Sequence, residues 1–347
     1  MLDRSTSHSP SHPRRGRAVA GAVLALAVLA SALAAAPPAA DAMAALPATE
    51  RLAAPDRYQT AARVSEHVFP DGADIAYLVT GEGFVDGIMA GPAAAEEGGP
   101  VLLTPGASLA PATAAEIQRL DPSTVVIVGS WPSVSIAVED AVRELDPTRE
   151  VVRVQGGGRF DTNYFLWQRV YPDAETSAAF LTNAFRFPDG LAGGPAAALL
   201  DAPMLLSDGG RIEPPSMPWD ALQHIDPAYV ALLGGEDALG NGTLLGIPPR
   251  AEVERFAGAD RFETAALLTA LFPPVDTVYI ASGETYADAL AGAAAAGAEG
   301  VPMLLARRDC MPGATLDALL ELRPDRAILL GGEPTLGQAT AAYTRCG

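Results

Sequence analysis

DRYQTAA, at residues 56–62, is the stretch that decides the fold, because the chain repeats it twice. It returns as GRFDTNY at residues 158–164 and as DRFETAA at residues 260–266. Consecutive copies lie 102 residues apart, measured between their shared arginines, Arg57, Arg159 and Arg261. An interval of that size is enough for a small domain, so the sequence predicts three tandem modules.

Three further blocks follow each copy in the same order. The first has an aromatic residue two positions before an aspartate, which is Asp86, Asp189 or Asp288. The second places a proline before a hydrophobic residue and two leucines, and the third is a hydrophobic run that ends in glycine. Four blocks in one order, three times over, indicate internal triplication.

The apolar runs within each repeat predict the fold class. In the first repeat, short apolar runs predict buried strands at residues 75–79, 101–103 and 125–128. Besides a helix that starts near Asp56, helices are predicted at residues 87–97, 110–120 and 134–145, and residues 151–154 are predicted to begin the next module. Buried strands that alternate with helices predict an α/β fold, with a parallel sheet covered on both faces in each three-layer module.

The four blocks together resemble the cell-wall-binding repeat type 2 family over residues 50 to 347. That family occurs in surface proteins of Gram-positive bacteria, commonly as three tandem modules. The resemblance implies Rossmann- or Toprim-like modules arranged around a pseudo-threefold axis. It also implies non-covalent binding to an anionic cell-wall polysaccharide, either teichoic-acid-like or a secondary wall polymer. Another wall protein is a further partner that it suggests, and it implies no cofactor.

The repeats divide the chain into modules at residues 50–150, 151–252 and 253–347. Residues 1–42 are predicted to be a secretory signal peptide, because basic residues precede an uncharged run of alanine, leucine and valine and then small residues. An uncleaved membrane anchor is the alternative, since the apolar run is about long enough to span a bilayer. The sequence therefore predicts a secreted protein of the cell surface.

The charge of the chain excludes nonspecific binding to nucleic acid. Without residues 1–42 the chain has 19 arginines, no lysine and 40 acidic residues, a net charge of about −21. Neutralising phosphates along a nucleic acid requires a basic face, which this composition does not provide.

Cys310 and Cys346 are the two cysteines of the chain, and both lie in the third repeat. In an exported protein such a pair favours a disulfide, which here would clamp the end of the chain to its own module. A reactive or metal-binding pair is the alternative. We predict no metal site, and because the first two repeats lack cysteine, the pair is not part of their shared chemistry.

The repeated arginine and aspartate are the candidate binding residues. Arg57, Arg159 and Arg261 stand at predicted helix starts, where backbone N–H groups and the helix dipole already favour an anion. A guanidinium adds a donor fork that matches phosphate or carboxylate. Alternatively, each arginine pairs with Asp86, Asp189 or Asp288 and locks a loop or bridges two modules, or these aspartates only cap helices.

No catalytic residues are predicted, but two other classes of function are kept as alternatives. The acidic pairs Glu82–Asp86 and Glu284–Asp288 could cleave a wall glycan. The second repeat lacks the glutamate, which weakens that hypothesis. A soluble α/β protein that binds a small solute is the other alternative. The first repeat also has Trp131 where the others have a second glycine, so we expect its strand-end loop to be the least suited to binding.

Overall fold

The computed structural model describes residues 46–172, 176–214 and 216–347, so the predicted signal peptide at residues 1–42 lies outside the described residues. The strands of the described part are β1 (Ala48–Leu52), β2 (Ile75–Thr80), β3 (Val101–Thr104), β4 (Thr124–Val128), β5 (Glu150–Val154), β6 (Ala178–Asn183), β7 (Met204–Ser207), β8 (Tyr229–Leu233), β9 (Glu252–Phe256), β10 (Thr277–Ser282), β11 (Met303–Ala306) and β12 (Arg326–Leu330).

The α-helices of the same residues follow the order that the repeats predict. They are α1 (Arg57–Val68), α2 (Val85–Glu96), α3 (Pro111–Leu120), α4 (Ile136–Leu145), α5 (Arg159–Val170), α6 (Pro188–Leu199), α7 (Met217–Ile225), α8 (Arg261–Leu267), α9 (Ala287–Glu299), α10 (Gly313–Leu322) and α11 (Gln338–Ala341). In the second module a short 3₁₀ segment, Asn241–Gly246, replaces the fourth helix.

The repeated stretch forms the turn into the first helix of each module. Asp56 caps α1 by accepting hydrogen bonds from the backbone N–H groups of Tyr58 and Gln59, and Asp260 caps α8 in the same way. The side chain of Gln59 reaches back to the Asp56 carboxylate, 2.8 Å away, whereas α5 begins after Gly158 and has no side-chain cap. Such a cap satisfies helix N–H groups that otherwise lack partners.

The threonine of each repeated stretch is buried and holds the loop before its helix. The Thr60 hydroxyl accepts from the N–H of Ala54 at 3.2 Å. Thr162 and Thr264 accept from residues six positions earlier, Gly156 and Gly258, at 3.0 and 3.1 Å. Each threonine therefore packs into the interior and also fixes the loop before its helix by a hydrogen bond.

Each of the three sheets has four parallel strands, and one edge strand of each sheet comes from the start of the next repeat. The strand orders are β3-β2-β4-β5, β7-β6-β8-β9 and β1-β12-β10-β11. Residues 151–154, predicted to begin the second module, instead complete the first sheet by pairing with β4. The third sheet is completed by β1, in register from Ala48 opposite Arg326 to Leu52 opposite Leu330. The three sheets therefore form a closed ring, in agreement with the pseudo-threefold arrangement that the resemblance implies.

The helices α2, α6 and α9 pack against one another at the centre of the ring. Small residues allow this: a Cβ added to Gly91 or to Gly194 would lie 3.7 or 3.3 Å from the Cβ of Ala293 in the third module. Pro92 and Pro195 lie inside α2 and α6 and do not mark their starts. One hydrophobic core cluster includes buried residues of all three modules, so the pseudo-threefold arrangement is held by a shared core.

The structure joins Cys310 and Cys346 by a disulfide, 36 residues apart in sequence. Backbone hydrogen bonds between Met311 and Thr344 and between Met311 and Cys346 lie beside it. Among the described residues, no helix has the length and apolar character needed to cross a membrane.

Candidate functional site

The three repeated arginines are held in the same way, by a backbone carbonyl just beyond a strand. Arg57 donates a hydrogen bond from Nη1 to the carbonyl of Gly81, which follows β2. Arg159 donates to Ala184 at 2.7 Å, and Arg261 donates to Gly283 at 2.5 Å. Arg57 and Arg261 are exposed and Arg159 is half-buried. Within the described residues, the other guanidinium N–H groups of all three have no hydrogen-bond partner.

The three repeated aspartates lie in the first turns of α2, α6 and α9, the central helices. Each is close enough to feel the charge of the arginine of the next module, and the third module returns to the first. The pairs are Asp86 with Arg159, Asp189 with Arg261 and Asp288 with Arg57. Across the part of the chain that the structure describes, no nitrogen–oxygen distance within these pairs is 4.0 Å or less.

The two roles predicted for the repeated arginines, anion contact and pairing with an aspartate, therefore concern the same position. Each pair lies at the junction of two modules and acts at longer range than a direct ion pair. Each interaction is therefore weaker than a direct ion pair between the same groups.

Burial raises the pKa of each of these aspartates. For Asp86 the pKa rises to about 6, although a hydrogen bond from Ser133 and the charge of Arg159 partly oppose burial. For Asp288 the same opposition comes from Thr335 and Arg57. A carboxylate is poorly solvated in such a position, so its neutral form is favoured.

For Asp189, burial again raises the pKa, and the opposing charges are those of Arg261 and Arg186. Ala238 occupies the place that a hydroxyl residue has in the other modules. The middle aspartate therefore has no side-chain hydroxyl in that place.

A glycine with positive φ lies against each aspartate. Gly331, directly after β12, has φ +99°, and a Cβ added there would lie 2.2 Å from Oδ2 of Asp288. Gly129 and Gly234 stand in the same place beside Asp86 and Asp189. Both the left-handed backbone and the lack of space require glycine, which explains why the hydrophobic run of each repeat ends in this residue.

A second set of repeated arginines, which the sequence reasoning missed, holds these glycine turns. Arg51, Arg153 and Arg255 lie in β1, β5 and β9. Their Nη1 atoms donate to the carbonyls of the turn glycines at 2.6, 2.8 and 2.9 Å. The signal was available, since these arginines are also spaced by 102 residues and each stands six positions before a member of the first set.

Three aromatic rings meet where the central helices begin. Phe84, Phe187 and Tyr286 precede α2, α6 and α9, and their ring centroids are 5.7, 5.8 and 5.9 Å apart. The nearly equal sides of this triangle mark the pseudo-threefold axis. The aromatic residues of the repeated stretch instead pack on the core, with Phe262 buried and Tyr58 and Phe160 partly so.

A cleft of about 490 Å³ lies between the first and second modules. Asp86 and Glu82 line it from the first module, and Arg159 lines it from the second. Ser130 and Ser133 also line it, and the turn between them carries Trp131, whose side chain is 58% exposed. The cleft joins the predicted arginine and aspartate in one space at the strand ends, which is where open α/β sheets bind ligands.

The glutamate of each acidic pair that the hydrolase hypothesis requires is engaged with loop backbone. A carboxylate oxygen of Glu82 accepts from the N–H of Gly106 at 3.2 Å, and one of Glu284 accepts from the N–H of Arg308 at 3.3 Å. Phe185 takes this place in the second module. Within the described ranges, no group of three or more histidine, cysteine, aspartate or glutamate side chains could hold a metal ion.

Comparison with known proteins identifies the repeats. The sequence profile of the family described as Cell wall binding domain 2 (CWB2) matches residues 51–139, 153–244 and 255–341. Two relatives come from Bacillus subtilis (strain 168). N-acetylmuramoyl-L-alanine amidase LytC is 25% identical over 293 residues, which are 84% of this chain and 57% of that protein. A protein named amidase enhancer is 26% identical over 267 residues, 77% of this chain and 36% of that protein.

Two solved structures from Clostridium difficile have the same fold. Cwp6 superposes with a TM-score of 0.78 and 22% identity over 86% of this chain and 48% of its own. Cwp8 superposes with a TM-score of 0.75 and 24% identity, over 84% of this chain and 50% of its own. The chain thus spans between about a third and somewhat over half of the length of these proteins. The predicted three-module α/β fold is confirmed, and the comparisons indicate a location at the cell wall surface.

Proposed function

The chain belongs to the cell wall binding domain 2 family, and on that premise we propose that it binds an anionic cell-wall polysaccharide, without a covalent bond and without cleaving it. The polymer is of the teichoic-acid type or a secondary wall polymer. We propose that it lies in the clefts between modules, with the repeated arginines as its anion contacts.

The observation that carries this proposal is the way in which each repeated arginine is held. One nitrogen of the guanidinium is fixed by a carbonyl of its own module, as Arg159 is by Ala184. The remaining donors have no protein partner among the described residues and are accessible to a ligand. An arginine fixed in position with free donors loses little conformational entropy on binding, and its fork matches a phosphate or carboxylate.

The acidic surface of the protein constrains how such a polymer associates. A net charge of −19 for the whole chain repels a polyanion at long range. Within a cleft the distances are short compared with the screening length, so a local guanidinium can still hold an anion. We therefore expect binding that is slow and sensitive to salt or cations.

We propose binding in preference to hydrolysis because the glutamate of each acidic pair has a structural use. Glu82 and Glu284 each hold a neighbouring loop, and the second module has no such glutamate. The relative named as an amidase is longer than this chain, so its activity is not transferred to it. Another wall protein is a second proposed partner, which the relative named amidase enhancer supports.

Sedimentation with purified cell walls tests the proposal. The protein is incubated with walls that retain their anionic polymer and with walls from which it has been extracted. We expect extraction to abolish binding, and a triple variant with glutamine at Arg57, Arg159 and Arg261 to lose more than about tenfold in affinity. Retention of the native protein on extracted walls would refute an anionic ligand.

A second triple variant separates local contact from overall charge. It uses one exposed arginine from each module: the side chains of Arg63, Arg250 and Arg345 are 62, 59 and 60% exposed. None of these arginines lines the cleft between the first and second modules. Replacing these three by glutamine changes the net charge by the same amount, so binding should stay within about twofold. Melting temperatures of both variants show whether a loss of binding is instead a loss of folding.

A further inference from the structure

The cleft of about 490 Å³ between the first and second modules is lined by polar groups that have no partner in the fold. Ser130 and Tyr286 both line it, and neither hydroxyl has a hydrogen-bond partner among the described residues. Arg159 lines it too, with one guanidinium nitrogen bonded to Ala184 and the others free within the same residues. Because no described protein group satisfies them, these donors and acceptors are available to a ligand.

The hydroxyl of Tyr286 distinguishes one module from the other two. Phe84 and Phe187 occupy the equivalent positions, and the three rings meet at the pseudo-threefold axis with nearly equal separations. Two of the three rings pack there without a hydroxyl, so the hydroxyl is not part of this packing. Tyr286 belongs to the third module and lines the cleft between the first two, so all three modules contribute to this cleft.

The turn after β4, which lines the cleft through its serines, differs from its counterparts. When the three turns are aligned on the glycine beside each aspartate, Ser130 and not Trp131 takes the place of the second glycine, so the alignment made from the sequence is one residue off. Trp131 instead stands where the other modules have the exposed residues Glu236 and Glu333. Its side chain is 58% exposed and has no hydrogen bond or ring contact with a described residue.

A second glutamate of the repeat is replaced by an aromatic residue in the second module. Phe185 stands where the first and third modules have Glu82 and Glu284, and its side chain is 58% exposed. The Cζ of Arg159, the arginine that lines the cleft, lies 4.7 Å from the centroid of this ring. The two modules that meet at the cleft thus each have an exposed aromatic ring where the other copies have a glutamate.

The carboxylates of Glu82 and Asp86 also line the cleft. One oxygen of Glu82 accepts from the N–H of Gly106, and the other is free, within the described residues, to accept from a ligand. Two negative groups repel a ligand made of phosphates alone, whereas hydroxyl groups donate hydrogen bonds to them. The cleft therefore fits a ligand with several hydroxyl groups and one anionic group, and its volume lies in the range of small-molecule sites, about 300–1,000 Å³.

We infer that this cleft binds a sugar ring of the wall polymer, and that this sugar carries the phosphate or carboxylate that Arg159 contacts. Ser130 and Tyr286 bond its hydroxyl groups, and Trp131 stacks on the apolar face of the ring. The inference rests on the proposed function and adds the unit of the polymer that is recognised. It is the opposite of the expectation that the turn of Trp131 is the least suited to binding, and the same variants decide between the two.

Sedimentation with purified cell walls at several salt concentrations tests the ring contact. Trp131→Gln, which installs an uncharged analogue of the glutamate in the other modules, is expected to weaken binding by about fivefold, and Trp131→Phe, which keeps a ring, by less than about twofold. Neither change touches a charged group, so the salt dependence of the affinity should stay that of the native protein, whereas Arg159→Gln should reduce it.

Tyr286→Phe tests the hydroxyl contact, because it removes one oxygen and installs the residue of the other two modules. It is expected to weaken wall binding by about fivefold, through the loss of a hydrogen bond to the sugar. The matched control for Trp131→Gln is Glu236→Gln, at the equivalent exposed position of the second module, which should leave the affinity within about twofold. Melting temperatures of all these variants should equal that of the native protein.

Two chemical treatments of the walls distinguish the two anions. Hydrofluoric acid cleaves phosphodiesters and removes a phosphate polymer, and amidation neutralises carboxylates. If the native protein loses binding after the first treatment only, the sugar carries phosphate, and if after the second only, it carries carboxylate. Partial loss after each treatment shows that the cleft accepts either group.

Two results would overturn the inference. One is native-like wall binding by Trp131→Gln or by Tyr286→Phe, and the other is an equal effect of Trp131→Gln and Glu236→Gln. If Arg159→Gln still weakens binding in that case, the proposed function stands and only the sugar contact falls. If the native protein binds extracted walls as well as unextracted ones, the proposed function itself falls.

Discussion

Replacing Asp86 by asparagine should stabilise the protein at neutral pH and leave its stability nearly unchanged at pH 4. Burial raises the pKa of this carboxyl from 3.8 to about 6, against the opposing effects of Ser133 and Arg159. A change of that size corresponds to about 3 kcal/mol between the two protonation states. Because the side chain is only partly buried, we expect about 2–3 kcal/mol at pH 7.

The pH dependence has a definite sign. The folded state holds the proton of Asp86 up to about pH 6, whereas the unfolded chain releases it near pH 4. Between these values the folded state binds more protons, so the free energy of unfolding decreases as pH rises from about 4 to about 6 and is level above that. Asparagine is uncharged at every pH, and the variant lacks this part of the decrease.

Urea denaturation at a series of pH values between 4 and 8 measures the effect. The difference between Asp86→Asn and the native protein should be close to zero at pH 4 and grow to its full value by pH 7. Asp140, whose side chain is 62% exposed on α4, provides the control, and Asp140→Asn should change stability by less than about 0.5 kcal/mol. A difference that does not depend on pH, or a variant less stable than the native protein at pH 7, would refute the reasoning.

Two further predictions concern the covalent and backbone constraints. Replacing both Cys310 and Cys346 by serine should lower the free energy of unfolding by about 3–4 kcal/mol, because the disulfide closes a loop of 36 residues, and should not change wall binding. Urea denaturation measures the first effect and wall sedimentation the second. A variant as stable as the native protein would contradict the entropic account. Gly331→Ala should destabilise the protein by more than about 1 kcal/mol, because φ is +99° and the added Cβ would lie 2.2 Å from Asp288. Gly235→Ala, where the added Cβ meets open space, should change stability by less than about 0.5 kcal/mol. Thermal melts compare the two variants, and equal melting temperatures would contradict the argument.

The triplication and the element order could be predicted because they are local properties of the sequence. A buried strand such as residues 75–79 is apolar throughout whatever lies beside it, and Asp56 can cap a helix without reference to another module. The helix predicted at residues 134–145 starts two residues later, at Ile136, which is within the usual uncertainty of helix ends.

The exchange of strands between modules could not be predicted in the same way. The sequence of β5 would suit an edge position in either of two sheets, and the structure pairs it with β4 of the preceding module. The pairing of Asp86 with Arg159 has the same origin, since a repeat reveals equivalent residues but not which copies face each other. Arg51, Arg153 and Arg255 were predictable from their spacing and were overlooked beside the longer motif.

The expectation that the turn carrying Trp131 is the least suited to binding stays a prediction. That turn has lost a glycine of the repeat, yet two of its serines line the cleft of about 490 Å³. Whether an aromatic side chain is exposed depends on which surface the neighbouring module covers. The sequence of a single repeat does not contain that information.

The pairing of β1 with β12 sets an order of events for a chain made from its N-terminus. β1 leaves the ribosome before almost all of the ring and is joined to it last, since Arg51 bonds to Gly331 across 280 residues of sequence. Closing so long a loop is slow compared with local folding. The first two sheets can form while β12 is still being made or moved across a membrane, but the ring cannot close before its last sheet arrives. The ring therefore stays open until nearly all of the chain has been made or has crossed the membrane.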